Sequence, residues 1–523
     1  MGPNYANSAE ERRDVNDLAR GGFVTFLGKL GRASRGGFLW VITLLMGLDV
    51  QGYYSLAWGI VSTLNKIARF GMSRGVVRFV VAERAQTEGH GERAVGTALL
   101  IVAICSVVIS AGMYFSADAI ASFYDKPIAS ALQIMALSAP FMAVCWVFVS
   151  AIRALRIVSY GVYVMSVAGP LILLLGGLGV GWLDLGLYGV AWVQLAMAVC
   201  ISLLAAYFFG RFFSLRACFQ HVRQPLRLRE MTHFSFPVMV TDLLYAVLTQ
   251  LDVLMLGFFV SAEMVGVYVL ARRIASAMLK APQAFDPIFS SVVSELAVNA
   301  RYGELSARFS VLFRWILTIN LPIFASLLIV GDLLLTMIGG DKMQALPEGE
   351  VAAGLQVLFI LSVSMMLQGS FALAESVLAM TGRPYLNFFN NTTWLCTNFV
   401  LNIVFIHFYS MGIVGAACGA FVSTLFVNAL RLGQIYRQYT IWPFDSKQVK
   451  PLFAAALASL GGVALRDMVA EPAVAVPAAL VTFVCAYGIG LALLGVEEED
   501  RKLVVKAVRW VGKQLGRESK PVH

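Results

Sequence analysis

Charge is scarce in this chain. Of its 523 residues, 14% are Asp, Glu, Lys or Arg, while 59% are hydrophobic. Soluble proteins average about 25% charged and about 45–50% apolar. The apolar excess is too large for one water-facing core and must meet a bilayer. Chemical motifs are missing too. No G-x-x-x-x-G-K-[ST] phosphate loop argues against ATP hydrolysis, and no H-E-x-x-H helix argues against a zinc hydrolase. The seven cysteines form no CxxC and no other metal-ligand spacing, so they read as small buried hydrophobes. The first 20 residues, ending RRDVNDLAR, hold no apolar core of a signal peptide. No stretch is long and polar enough for a catalytic domain. Catalytic and metal residues are therefore expected to be none, and the chain is not expected to be an enzyme.

What is present is a series of apolar runs. A span needs about 20 predominantly apolar residues. Fourteen are read: 21–48, 51–73, 94–116, 129–153, 158–182, 185–209, 231–258, 262–283, 307–330, 351–379, 385–408, 412–434, 452–468 and 473–495. All are expected to be helices, since a helix satisfies its backbone polar groups within one segment. The fold class is all-α, a polytopic membrane protein.

The net charge of +9 is a matter of topology. With the N-terminus inside, the outer connections hold only Lys126, Lys342 and Arg466 of the 40 Lys and Arg. The rest lie on the inner side, as the positive-inside rule requires, with both termini cytoplasmic. This excludes a nucleic-acid partner as the reason for the basic balance. The tail EEEDRKLVVKAVRWVGKQLGR sets Lys502, Lys506, Arg509, Lys513 and Arg517 on one helical face and valines with Leu515 on the other. That pattern suits a basic amphipathic helix on an anionic inner leaflet.

GYYSLAWGIVSTLNK, from Gly52, and GVYVLARRIASAMLK, from Gly266, agree at seven of fifteen positions, 214 residues apart. GLYGVAWVQ at 186 and GIVGAACGA at 412 repeat at an offset of 226. Six spans separate the copies, an even number, so both keep the same orientation. Parallel halves with a site between them are a transporter architecture. The expected organisation is an N-terminal segment 1–20, a six-helix half 21–230, a second half 231–440, two added helices 441–495 and the basic tail 496–523.

Ionisable groups at membrane depth mark function by default. Span 1 places Arg32 and Arg35 on one face, span 2 ends with Lys66 and Arg69, and span 8 carries Arg272, Arg273 and Lys280. Arginine suits bidentate phosphate recognition. The competing reading is snorkelling to the inner interface. Adjacent helical residues point about 100° apart, so one of Arg272 and Arg273 is expected to face a cavity and the other a helix or headgroups. Asp242, Asp252 and Glu375 are the acids within spans. Asp242 and Glu375 are candidates either for a coupling proton or sodium ion or for structural salt bridges. No other cofactor is implied. Asn390, Asn391, Asn398 and Asn402 line a hydrated path or bond between helices.

FPVMVTDLLYAVLTQLDVLMLGFFVSAEMVGVYVLARRI, with Pro237, Asp252, Leu256, Gly257, Gly266, Tyr268 and Ala271, resembles the start of the second half of polysaccharide and O-antigen flippases. These belong to the multidrug/oligosaccharidyl-lipid/polysaccharide exporter (MOP) superfamily. GLDVQGYYSLAWGI in the first half and LAMTGRPYLNFFNN after span 10 carry the same resemblance, which covers roughly residues 20–495. It implies movement of a polyprenyl-diphosphate-linked oligosaccharide from the inner to the outer leaflet of a bacterial cytoplasmic membrane by alternating access, for O-antigen, exopolysaccharide or capsule synthesis. Partners would be membrane lipids, this substrate, and the polysaccharide polymerase and chain-length machinery. Related lipid II flippases use arginines of the first, second and eighth helices, so the resemblance lands the candidate diphosphate site on Arg32 or Arg35, on Arg69, and on Arg272 or Arg273. Two rivals stand beside this reading: a multidrug–cation antiporter of the same superfamily, and a non-transporting scaffold of an envelope-assembly complex.

Overall fold

The computed structural model describes residues 34, 36–86, 91–222, 227–468 and 472–494. Every regular element among them is a helix. The expected basic tail, and both Arg32 and Arg35, lie outside the described residues.

The first stretch of chain forms α1 (Gly36–Met46), α2 (Leu48–Ala68), α3 (Met72–Gln86), α4 (Glu92–Tyr124), α5 (Ala129–Ala154), α6 (Ser159–Trp182), α7 (Gly186–Phe209) and the short amphipathic α8 (Leu215–Val222). Then follow α9 (Leu228–Phe259), α10 (Ala262–Ala275), α11 (Lys280–Val298), α12 (Tyr302–Gly340), α13 (Glu348–Met380), α14 (Pro384–Asn402), α15 (Gly412–Tyr439), α16 (Val449–Met468) and α17 (Pro472–Leu493). Among the described residues, ten helices are long and apolar enough to cross a membrane, against the fourteen spans expected. The described parts of the remaining expected spans are helical as well, as α1, α2, α10 and α14; α1 and α10 are short among the described residues, while α2 and α14 are long enough but less apolar. A multi-pass membrane protein follows from either number.

The chain packs as two compact units. One comprises residues 1–274, 333–361 and 385–427; the other comprises 275–332, 362–384 and 428–523. In the first unit the core is built from small and branched side chains such as Ala57, Val61, Ala98, Val102, Ala136 and Ala198, all fully buried. Small residues let helix backbones approach closely where lipid offers no hydrophobic drive for association. In the second unit Arg466 of α16 hydrogen-bonds the Ile329 carbonyl and the Asp332 carboxylate of α12, and Tyr487 of α17 donates to the Thr318 carbonyl at 3.0 Å.

The repeated glycines of the sequence explain themselves here. A Cβ added to Gly52 would overlap the carbonyl group of Ala262, and one added to Gly266 would overlap that of Leu48. Leu48 and Ala262 are themselves 214 residues apart. The contact between α2 and α10 is therefore reciprocal, as a two-fold relation between copies demands.

A second close approach lies at the other end of α2. Gly71, at φ +66°, and Gly75 abut Ser235 of α9, each too closely for a Cβ. Gly71–Gly75 also spells G-x-S-x-G, but no strand precedes it and it opens a helix, so it lacks the strand–turn–helix setting of a hydrolase nucleophile.

Candidate functional site

α2 carries Trp58, Ser62, Asn65, Lys66 and Arg69 at helical spacing, so they form one stripe. That stripe lines a cavity of about 360 Å³ within the first unit. α5 adds Met142 and Trp146, four apart. α6 adds Met165 and Leu173, and α9 adds Tyr245, Thr249 and Gln250. Met165 sits in a π-helical segment, Val162–Ala168. Such segments interrupt the i→i−4 ladder and gather at functional sites.

The cavity is cationic at one end and aromatic on its walls. The Arg69 guanidinium lies 4.7 Å over the Trp146 ring. Both amide atoms of Asn65, Nε of Arg69 and Nε1 of Trp146 are buried without a hydrogen-bond partner. An unmet buried polar group costs about 1–3 kcal/mol. Four such atoms on one cavity wall are groups that a polar occupant, solvent or ligand, would satisfy.

The structure distributes the expected site residues as follows. Arg69 lines the cavity, and so does Lys66. Arg272 is half-buried and donates to the carbonyl of Thr249, itself a lining residue. Arg273 is exposed on α10, with its guanidinium against Gly36 of α1. The two arginines thus diverge as their spacing requires. Asp242 faces Arg74 at 3.9 Å. Glu375 lies in the second unit, 3.3 Å from the buried Arg431.

A separate buried group stands out on α9. The Asp252 carboxylate accepts from the Tyr268 hydroxyl at 2.9 Å and from Nδ2 of both Asn398 and Asn402 at 3.1 Å. It has no ion-pair partner among the described residues, and it is 8% exposed. The Oδ1 atoms of Asn398 and Asn402 are buried and unpartnered. The asparagines thus bond between helices, each turning its amide nitrogen to the carboxylate. The π-helical segment Ile403–Phe408 begins directly after Asn402.

Reading the sequence alone singled out Lys66 and Arg69 but passed over Trp58 and Asn65, although the same spacing signals all four. Nothing local signals Trp146, which reaches the site from another helix.

A bundle of apolar helices around a cation-bearing cavity suits a membrane transporter, and solved structures of the MOP superfamily share the fold. The chain is similar to a structure of the lipid II flippase MurJ in an inward closed conformation, with TM-score 0.71 and 13% identity, covering 92% of this chain and 99% of that one. It is similar to an inward-facing multidrug resistance MATE family transporter, with TM-score 0.64 and 14% identity over 79% of this chain and 94% of that one. At these identities the likeness concerns the fold. The chain belongs to the family described as polysaccharide biosynthesis protein, whose sequence model matches residues 41–346, more than half its length. Among curated proteins it is similar to the probable flippase AglR of Haloferax volcanii, 28% identical over 175 residues. That match spans 33% of this chain and 35% of the relative, about a third of each.

Proposed function

We propose that the protein is a flippase that moves a polyprenyl-diphosphate-linked oligosaccharide from the inner to the outer leaflet of a bacterial cytoplasmic membrane, by alternating access, for cell-surface polysaccharide synthesis. The observation that carries this reading is the cavity wall of Lys66, Arg69, Asn65, Trp58 and Trp146. Two cations beside the buried, unmet donors of Asn65, Arg69 and Trp146 suit a diphosphate, and arginine binds phosphate oxygens as a fork. Aromatic rings offer flat apolar faces with polar edges to sugar rings, and Asn65 and Gln250 offer amides to their hydroxyls. Arg272, tied to Thr249 beside the cavity, is the second half's contribution to this field. Arg32, Arg35 and Arg273 belong to the same proposed diphosphate site on the strength of the family resemblance. A cationic cavity is the wrong sign for cationic drugs, so the antiporter reading is disfavoured.

Membrane potential gives the direction. Moving charge across a potential is worth about 2.3 kcal/mol per elementary charge per 100 mV. A substrate with about two negative charges therefore gains roughly 4–5 kcal/mol on moving outward under an inside-negative potential of about 100 mV. A coupling ion would bind at Asp252. A buried carboxylate without a cation is costly unless it is protonated or paired, and rotation of the Asn398 and Asn402 amides, whose nitrogens now donate to it, would turn their oxygens to a hard monovalent cation. Asp242 and Glu375 keep the role of candidates whose arginine neighbours compete with an ion. Polymerase and chain-length proteins are the partners such a flippase would feed.

The test is translocation of a fluorescent polyprenyl-diphosphate glycan in liposomes holding the purified protein. Charge-assisted hydrogen bonds are worth about 1.5–3 kcal/mol each. Lys66→Ala and Arg69→Ala should each cut transport about 10- to 100-fold with expression unchanged. Arg272→Ala should cut it less. Wild-type rates in the Lys66→Ala and Arg69→Ala variants, or efflux of a cationic dye in place of the glycan, would overturn the reading.

A further inference from the structure

A second concave site lies where α3 passes the first turns of α9, about 600 Å³ in volume and separate from the transport cavity. Its walls are held by the crossing of Gly71 and Gly75 on Ser235, where no Cβ fits. One turn further on, Phe79 and Phe234 meet edge to face, with centroids 6.1 Å apart. They form an apolar floor. The Arg78 guanidinium stacks 4.3 Å over the Phe234 ring. Stacking occupies a face of the guanidinium and leaves its N–H edge directed outward as a flat fork.

The rim is basic beyond need. Glu230, the one acid lining the site among the described residues, faces Arg227 at 3.7 Å. Arg78 and Arg229 have no acidic partner among the described residues, and His233 adds a further donor. Two cations thus line a pocket floored by two phenylalanines, Arg78 directly over Phe234. The charge asymmetry of the chain assigns this end of α9 to the inner leaflet. At that depth a ligand would have an anionic head and an apolar continuation. A carboxylate would meet the charge, but a phosphate joined to an acyl or prenyl chain meets the fork and the floor together.

We propose that this pocket binds the phosphate of a membrane lipid at the inner-leaflet level, either the phosphodiester of an anionic phospholipid or the diphosphate of a polyprenyl carrier. The site goes beyond the flippase reading and does not depend on it, because neither Arg78 nor Arg229 lines the transport cavity.

The experiment is native mass spectrometry of the purified full-length protein with phosphatidylglycerol, phosphatidylcholine or polyprenyl diphosphate added in detergent. Wild type should retain the two anionic lipids over phosphatidylcholine. Arg78→Ala/Arg229→Ala should lower anionic retention about tenfold at an unchanged melting temperature, since both side chains are exposed. Arg78→Lys keeps the charge but loses the fork and should fall between. Loss for phosphatidylglycerol assigns the site to a bilayer headgroup; loss confined to polyprenyl diphosphate assigns it to the carrier. Either result supports the pocket. Lys447→Ala/Lys450→Ala, two basic changes elsewhere, should alter nothing. Equal retention of all three lipids by wild type and the arginine double variant would overturn the proposal. So would an equal loss in the lysine double variant, which would reduce the effect to overall charge. Lys66→Ala should keep its phosphatidylglycerol, so failure of the transport reading and failure of this one are told apart.

Discussion

Adding one methyl group where α2 meets α10 should open the outer end of the first unit. A Cβ on Gly52 would lie 2.7 Å from the carbonyl carbon of Ala262, and one on Gly266 would lie 3.1 Å from that of Leu48. Carbon atoms pack at about 3.5–4.0 Å. The helices must therefore part by about 1 Å at Gly52 and by about half an ångström at Gly266, and the carbonyl oxygens in the way make these lower bounds. Overpacking of this kind costs about 1–3 kcal/mol. If the contact closes the outer end, a cost of about 2 kcal/mol raises the open population roughly 30-fold, at about 1.4 kcal/mol per tenfold. Ser55, one turn inward of Gly52 and 8% exposed, is the reporter. In a protein with its native cysteines replaced, Ser55→Cys should react slowly with an impermeant maleimide added from outside. Gly52→Ala should accelerate that reaction about 30-fold, and Gly266→Ala less. Unchanged labelling in folded Gly52→Ala protein, or a larger effect at Gly266, would refute the reasoning.

Asp252→Asn should abolish any rise in melting temperature on adding sodium or on lowering pH, and should uncouple transport from that ion while leaving phosphate binding intact; a thermal-shift titration of wild type and variant reads this directly. Cys218 of α8 should resist alkylation at neutral pH. Burial, followed by Glu92 and Glu83, pushes its thiol up to about 12. The reactive thiolate is therefore a fraction of roughly 10⁻⁴ at about pH 8, and mass spectrometry after maleimide treatment should find Cys218 unmodified in the folded protein and modified after denaturation.

The helices were legible because a bilayer imposes one requirement on the backbone, and the apolar runs answer it. The repeat was legible for a similar reason. A glycine kept at 52 and 266 is kept by a contact that cannot admit a side chain, and the two contacts are each other's mirror in sequence. The candidate cavity was legible only along α2 and its C-cap, which lay Trp58, Ser62, Asn65, Lys66 and Arg69 in a row. Trp146 faces Arg69 across 77 positions of chain, and no local pattern encodes a meeting between two helices. The same limit applies to acids. Asp242, Asp252 and Glu375 look alike in sequence. Asp242 and Glu375 have arginine neighbours, whereas Asp252 has a tyrosine and two asparagines, one of them 146 positions away.

The offset of 214 also shows where the copies diverged. Tyr54 and Tyr268 are equivalent. Tyr54 meets the edge of Phe38 at 5.5 Å and donates to Gln194 at 3.2 Å; Tyr268 donates to Asp252. Phe38 and Asp252 are themselves 214 apart, so one contact has become apolar and its copy ionisable. Trp58 and Arg272 are a further such pair, a cavity wall in one copy and a cation in the other. The glycines between them did not diverge. A close contact shared by two copies must fit both, so Gly52 and Gly266 stay under a common steric constraint. Residues one or two turns away face different neighbours and are released from it. On the proposed function, substrate grip and ion binding can then be tuned separately while the shared glycine contact stays symmetric. The expected signature is a transport defect without altered outer labelling for Arg69→Ala, and the reverse order of effects for Gly52→Ala.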